Sequence, residues 1–151
     1  RDGLYFEWNK DGQIIQEGYY DNGVLSKKSL YSYNNGQMIF KIIFKDKNFD
    51  FFNITSYNKN GQIESEKNYQ NDILNGMSRW YLNGKKSFEG NYINERAHGK
   101  WVFWSRNGQK NQEKNYVNGN LINTTIFKYS LFNGQLKSEK TYKDNKCIIG
   151  C

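Results

Sequence analysis

NKNGQIESEKNY, residues 58–69, is written again as SRNGQKNQEKNY at 105–116 and as LFNGQLKSEKTY at 131–142. A catalytic motif is needed once, whereas a phrase repeated in register marks a chain assembled from copies of one small unit. Aligning on the glycine finds six copies, anchored at Gly12, Gly36, Gly61, Gly84, Gly108 and Gly134 and spaced 24, 25, 23, 24 and 26 residues apart. Eight residues after each anchor stands a ring: Tyr20, Phe44, Tyr69, Tyr92, Tyr116 and Tyr142. Five residues after it stands a carboxylate, Glu17, Glu66, Glu89, Glu113 or Glu139, with Lys41 the exception in the second copy.

The local chemistry of the copies predicts strands. Asn-Gly or Asp-Gly at every anchor is the dipeptide that best accepts the positive φ angles of a two-residue type I′ hairpin turn. Rings precede the anchors (Trp8, Tyr33, Tyr57, Trp80, Tyr81, Trp104), and a polar stretch follows them. Side chains alternate between the faces of a strand. Positions two and eight after the anchor therefore fall on one face and position five on the other, so that Ile63 and Tyr69 oppose Glu66. Second turns in QNDILNG (70–76) and INERAHG (93–99) lead into the next hairpin. One such unit has too few apolar side chains to offset the backbone entropy of ordering it, so the units must stack. The expectation is an all-β, meandering antiparallel β-hairpin solenoid forming a single domain over residues 1–151, with the rings eight residues after the anchors as its structural core.

Composition narrows the function classes. Only 36% of the 151 residues are hydrophobic, yet 17% are aromatic and none is proline, and the mean hydropathy is −0.96. No run approaches the roughly 18–20 apolar residues of a membrane-spanning helix. Residues 1–75 hold 9 Lys and Arg against 10 Asp and Glu, a net of −1, while residues 76–151 hold 13 against 5, a net of +8. A basic half can meet nucleic acid, anionic lipid or an acidic protein. Here 18 of the 22 cations are Lys, alongside abundant Asn, Ile, Tyr and Phe. That pattern reads as the coding bias of AT-rich DNA; nucleic acid is not expected, and lipid contact is expected to be weak. Cys147 and Cys151 close the chain as CIIGC, a spacing that fits neither a zinc site nor a CxxC redox motif, and Gly150 permits the turn a disulfide between them requires. The Cys pair, with a chain that opens at Arg1 rather than Met, tilts the expected location towards the outside of the cytoplasm.

The units resemble the bacterial variant of the MORN repeat: paired aromatics before Asn-Gly, a short polar stretch with Glu, a Tyr, and an Asn-Gly or His-Gly turn leading to Trp. SRWYLNGKKSFEGNYINERAHGKWVFWSRNG (78–108) carries the pattern best. The resemblance implies a curved antiparallel sheet acting as a non-enzymatic scaffold for protein–protein interaction, with a peripheral module for anionic lipid, or an antitoxin-like protein that neutralises a partner, as alternatives. Plant phosphoinositide kinases carry MORN repeats beside their catalytic domain, but this chain has no Gly-rich phosphate loop and no DFG or HRD triplet. The second copy departs from the pattern, since MIFKIIFKDKNFDFF (38–52) is apolar on both faces.

No catalytic residues, cofactor or metal are expected. Five equivalent glutamates form a ladder rather than the unequal carboxylate pair that acid–base chemistry needs, and His98 is the only His. The candidate binding residues are the aromatic and cationic cluster Trp80, Tyr81, Trp101, Phe103, Trp104, Lys85, Lys86 and Arg106, a combination that stacks on planar ligands or sits at a lipid interface. Ile39 and Ile43 of the second copy join them as an apolar surface that must cover something, a loop of this chain or a second copy in self-association.

Overall fold

The computed structural model describes residues 2–151, and among these there is no helix. The chain forms two compact units, residues 1–76 and 77–151. In the first, β1 (Gly3–Trp8), β2 (Ile14–Asp21), β3 (Val24–Asn34), β4 (Gln37–Phe44), β5 (Phe51–Tyr57), β6 (Ile63–Gln70) and the two-residue β7 (Ile73–Leu74) pair antiparallel in chain order. In the second, β8 (Gly76–Leu82), β9 (Lys85–Ile93), β10 (Arg96–Trp104), β11 (Lys110–Val117), β12 (Asn120–Tyr129), β13 (Leu136–Lys143) and β14 (Lys146–Ile149) follow the same plan. Each unit is a meander because every connection is too short to cross over.

Two kinds of turn build it, and the anchors do not all use the expected one. Gly36 and Gly84 do form type I′ turns, with Asn35 (φ 49°) and Asn83 (φ 52°) also left-handed. At Gly12, Gly61, Gly108 and Gly134 only the glycine has positive φ, and the loop is longer. Gly12 N–H donates to Asn9 O (3.1 Å), Gly61 to Asn58 (2.9 Å) and Gly108 to Ser105 (2.8 Å), while the Asn9 and Asn58 carboxamides accept from backbone N–H groups of their own loops. An Asn or Ser three residues before Gly12, Gly61 and Gly108, and Ser130 four residues before Gly134, supplies this side-chain-to-backbone bonding and wins over the tight turn. The opposite edges carry tight turns, several without glycine, where Asn71-Asp72, Asn94-Glu95 and Asp144-Asn145 all have φ between 48° and 63°, together with a longer loop, 45–50, whose Asp46 accepts from Phe49 and Phe51 N–H. AHG (97–99) is therefore not a turn; it lies inside β10, where the register to β9 shifts between His98 and Val102.

A Gln follows five of the six anchors, and in three copies it ties neighbouring turns together. Gln13 Nε2 donates to Gly36 O (2.7 Å), Gln37 Nε2 to Asn58 O (3.3 Å), and Gln109 Nε2 to Gly134 O (2.9 Å). Each side chain thus fastens its own turn to the turn of the next copy, a bond only tandem repetition can provide.

Burial is shallow, as a single layer of strands requires. Phe52 (8% exposed), Trp101 (7%) and Phe127 (7%) are the buried large apolar side chains. None of them is a ring eight residues after an anchor. Those rings are half-buried, and four of them pack against the buried ones: Phe44 and Tyr69 meet Phe52 at 5.4 and 5.1 Å, and Tyr92 and Tyr116 meet Trp101 edge-on at 5.0 and 5.9 Å.

Candidate functional site

The eight aromatic and cationic candidates of the second unit do not form one cluster; strand alternation divides them. Trp80 of β8, Phe88 of β9 and Trp101 and Phe103 of β10 share the ring face. Trp80 stacks on Phe88 at 4.4 Å and on Trp101 at 5.9 Å, and Phe88 stacks on Phe103 at 5.6 Å. Trp101 lies directly over Gly90, where an added Cβ would stand 2.1 Å from the indole, and its Nε1 donates to Asn91 O at 3.2 Å. Rings that face one another in this way have spent their faces on packing and hold the sheet together. Trp80, Trp101 and Phe103 thus belong to the packed interior of the ring face. Tyr81 takes the other face of β8, adjacent in sequence to Trp80 and opposite in direction.

That other face carries the carboxylates, each already engaged where its partners are resolved. Glu89 meets Arg79 at 3.2 Å and Lys86 at 3.0 Å, and Glu113 meets Lys110 at 3.0 Å and Lys100 at 3.2 Å. Burial alone would raise the Glu113 carboxyl, but Lys110 and Lys100 hold it below the ordinary glutamate value. In the first unit Glu17 accepts from Tyr31 Oη at 2.5 Å, and Lys41 Nζ lies 5.1 Å over the Tyr31 ring. Burial and then the Glu17 hydrogen bond push the Tyr31 phenol up to about 12. Glu66 pairs across the ladder with Thr55, and Glu139 is exposed.

Lys86 and Lys110 correct the expected alternation. Both stand two residues after an anchor, the position expected to oppose the glutamate, yet both reach it. In β11 the reason is a bulge: Phe103 pairs with Gln112 and Trp104 with Lys110, leaving Asn111 as an extra residue that resets the alternation.

The remaining candidates converge. Leu82, Asn83, Lys85, Lys86 and Ser87 of one anchor turn and Trp104, Ser105 and Arg106 of the next line an open groove of about 200 Å³. Lys86 Nζ lies 4.5 Å over the Trp104 ring, and Lys85 Nζ reaches Arg106 O at 3.5 Å. In the first unit Ile39 and Ile43 are each 38% exposed, so no loop of that unit covers them. Leu131 and Phe132, which the sequence reading passed over, stand wholly exposed in the turn between β12 and β13; an apolar pair where the other anchor turns are polar was the available signal.

No group of three or more His, Cys, Asp and Glu able to hold a metal exists among the described residues, and the buried Nδ1 of His98 has no hydrogen-bond partner there. Cys147 and Cys151 are joined by a disulfide with Cα atoms 6.0 Å apart. Gly150 (φ 75°) turns the chain back between them, against Glu139 O of β13.

Antiparallel hairpins in register, with the stacked rings on one face and the glutamates on the other and with turn tied to turn, define an all-β repeat sheet. The family described as MORN repeat variant matches residues 1–22, 54–71, 97–118 and 119–144, more than half of the chain, and the chain belongs to it. No curated protein matches the sequence. MORN is a non-enzymatic repeat type, associated generally with protein or membrane-lipid interaction.

Proposed function

We infer that this chain is a non-enzymatic scaffold that binds a protein partner through side chains its sheet leaves open. The observation that carries the reading is the second copy, whose Ile39 and Ile43 stand exposed on strand β4 of a unit that also leaves Leu4 and Tyr19 open. Apolar side chains gathered on one surface are what a partner covers. In-cell cross-linking of the chain in its source tests the reading, with the double variant Ile39→Asp, Ile43→Asp as control. The variant is expected to keep its melting curve and lose the cross-linked partner. Light scattering tells whether that partner is a second copy, which would appear as a dimer that the variant dissociates. Undiminished cross-links in the folded variant would overturn the reading.

The net charge of +8 on residues 76–151 supports a second reading, peripheral binding to anionic lipid. Scattered surface cations contribute about 1 kcal/mol each near such a membrane, and a Debye length of about 8 Å at physiological salt screens them. Acidic vesicles are expected to pellet the chain weakly at low salt and not at physiological salt. Salt-resistant pelleting that Lys85→Glu, Lys86→Glu abolishes would promote the lipid reading over the protein one.

A further inference from the structure

In the second unit the anchor turns at 82–85, 105–109 and 130–135 lie side by side along one edge of the sheet, joined by the Lys85 and Gln109 bonds to the neighbouring turn. The stretches forming that edge, 82–86, 104–110 and 128–137, hold six cations (Lys85, Lys86, Arg106, Lys110, Lys128, Lys137) and no acid. The opposite edge of the same unit mixes both signs, with Glu95 beside Arg96 and Asp144 between Lys143 and Lys146. A compositional bias towards Lys would load both edges alike, so the acid-free edge is a feature of placement. Nor do the neighbouring carboxylates neutralise it fully. Glu89 and Glu113 are each shared between two cations, Arg79 with Lys86 and Lys100 with Lys110. Lys85 has only a carbonyl contact, and Arg106 is exposed with no ion pair among the described residues.

These two uncompensated cations line the same groove as Trp104 and Leu82, which supply its apolar surface. We propose that the groove binds an extended acidic segment of a partner protein, its carboxylates on Lys85 and Arg106 and an apolar side chain against Trp104. The guanidinium of Arg106 suits a bidentate carboxylate contact, and Lys86 Nζ lies 4.5 Å over one face of the indole. A groove lined by Lys85, Lys86 and Arg106 beside Trp104 and Leu82 matches one apolar side chain flanked by acids. Leu131 and Phe132, exposed at the third turn of the edge, offer a longer segment a second foothold. The proposal rests on the protein-binding reading but uses a different surface from Ile39 and Ile43, so either can fail without the other.

The test is fluorescence anisotropy with a fluorescein-labelled Glu-rich peptide carrying a central Phe-Leu pair, at physiological salt. The expected result is saturable binding, weakened on the order of tenfold or more by Lys85→Glu with Arg106→Glu and by Trp104→Ala, in variants whose melting curves match the parent. Replacing Glu by Gln in the peptide, or Phe-Leu by Ser-Ser, is expected to weaken it as well. Equal affinity of the charge-reversed chain, or of the Gln peptide, would overturn the proposal. So would vesicles of phosphatidylserine and phosphatidylcholine that pellet the chain at the same salt through Lys85 and Arg106 while the peptide fails to bind, which would assign the edge to a membrane.

Discussion

Glu17-Gly18 in the first unit and Glu89-Gly90 in the second are the same dipeptide at the same distance from their anchors, and in both a side chain of the next strand lies over the glycine. Over Gly90 it is Trp101, the most buried ring of its unit's aromatic stack and within 2.1 Å of where a Cβ would stand. Over Gly18 it is Leu25, with Tyr5 beside it, at 2.8 and 3.2 Å. The repeat supplies the same vacancy twice, but the residue that fills it sets how much apolar area is removed from water. In the second unit the ring contacts converge on Trp101, whereas in the first they run along Phe44, Phe52 and Tyr69.

The sharpest way to break this comparison is chemical denaturation of variants at the vacancy. Trp101→Ala is expected to cost on the order of 3–5 kcal/mol. Gly90→Ala should approach that, because a methyl group there must expel the indole. Gly18→Ala is expected to cost less, roughly 1–3 kcal/mol, since the Leu25 side chain can yield although Lys27 O, 2.9 Å away, cannot. Equal losses at Gly18 and Gly90 would mean that the two units pack their vacancies alike.

A smaller difference lies in how each unit holds its glutamates, and pH separates them. Glu113 has a folded pKa below its ordinary value, so its contribution is present above the ordinary glutamate range and is lost as pH falls through the lowered value. Tyr31 has its folded pKa raised from 10.0 to about 12; its contribution is complete below pH 10 and is lost as pH rises towards 12. Glu113→Gln should therefore flatten the acid limb of the stability profile, and Tyr31→Phe the alkaline limb, each costing about 1 kcal/mol at neutral pH. Tyr5 and Tyr92, also raised, keep some alkaline slope in the Tyr31 variant. Unchanged limbs would show that these contacts do not persist in solution.

Period, strand class and the split between ring and carboxylate faces were legible because each follows from local chemistry: Asn-Gly turns, and alternation between Tyr92 and Glu89 along one uninterrupted strand. Three things were not. Turn type depended on Asn9, Asn58 and Ser105, three residues before the glycine, and on Ser130, four before Gly134, a signal present but outweighed by the Asn-Gly or Asp-Gly pair. The family matches contain Gly12, Gly61, Gly108 and Gly134 and omit Gly36 and Gly84, so the matched copies are those with the long turn and the omitted ones those with the tight turn. Bulges reset the alternation at Lys110, which a strict count of two cannot foresee. The candidate cluster came apart because alternation along β10 sends 101 and 103 to one face and 104 to the other, where Lys86 meets it. Lys85, Lys86, Arg106 and Trp104 were legible as a group because two neighbouring turns bring them together.

The central claim is a division of labour in which stacked rings hold the sheet and the open groove binds, and the tryptophans report on both. Their oxidation by N-bromosuccinimide, read residue by residue by mass spectrometry with and without the Glu-rich peptide, is the most direct measurement. Trp8 and Trp104 are expected to react in the free chain while Trp101 is spared, and the peptide is expected to protect Trp104 and not Trp8. Oxidation of Trp101 as fast as Trp8, or protection that falls on Trp101 and leaves Trp104 reactive, would contradict the account.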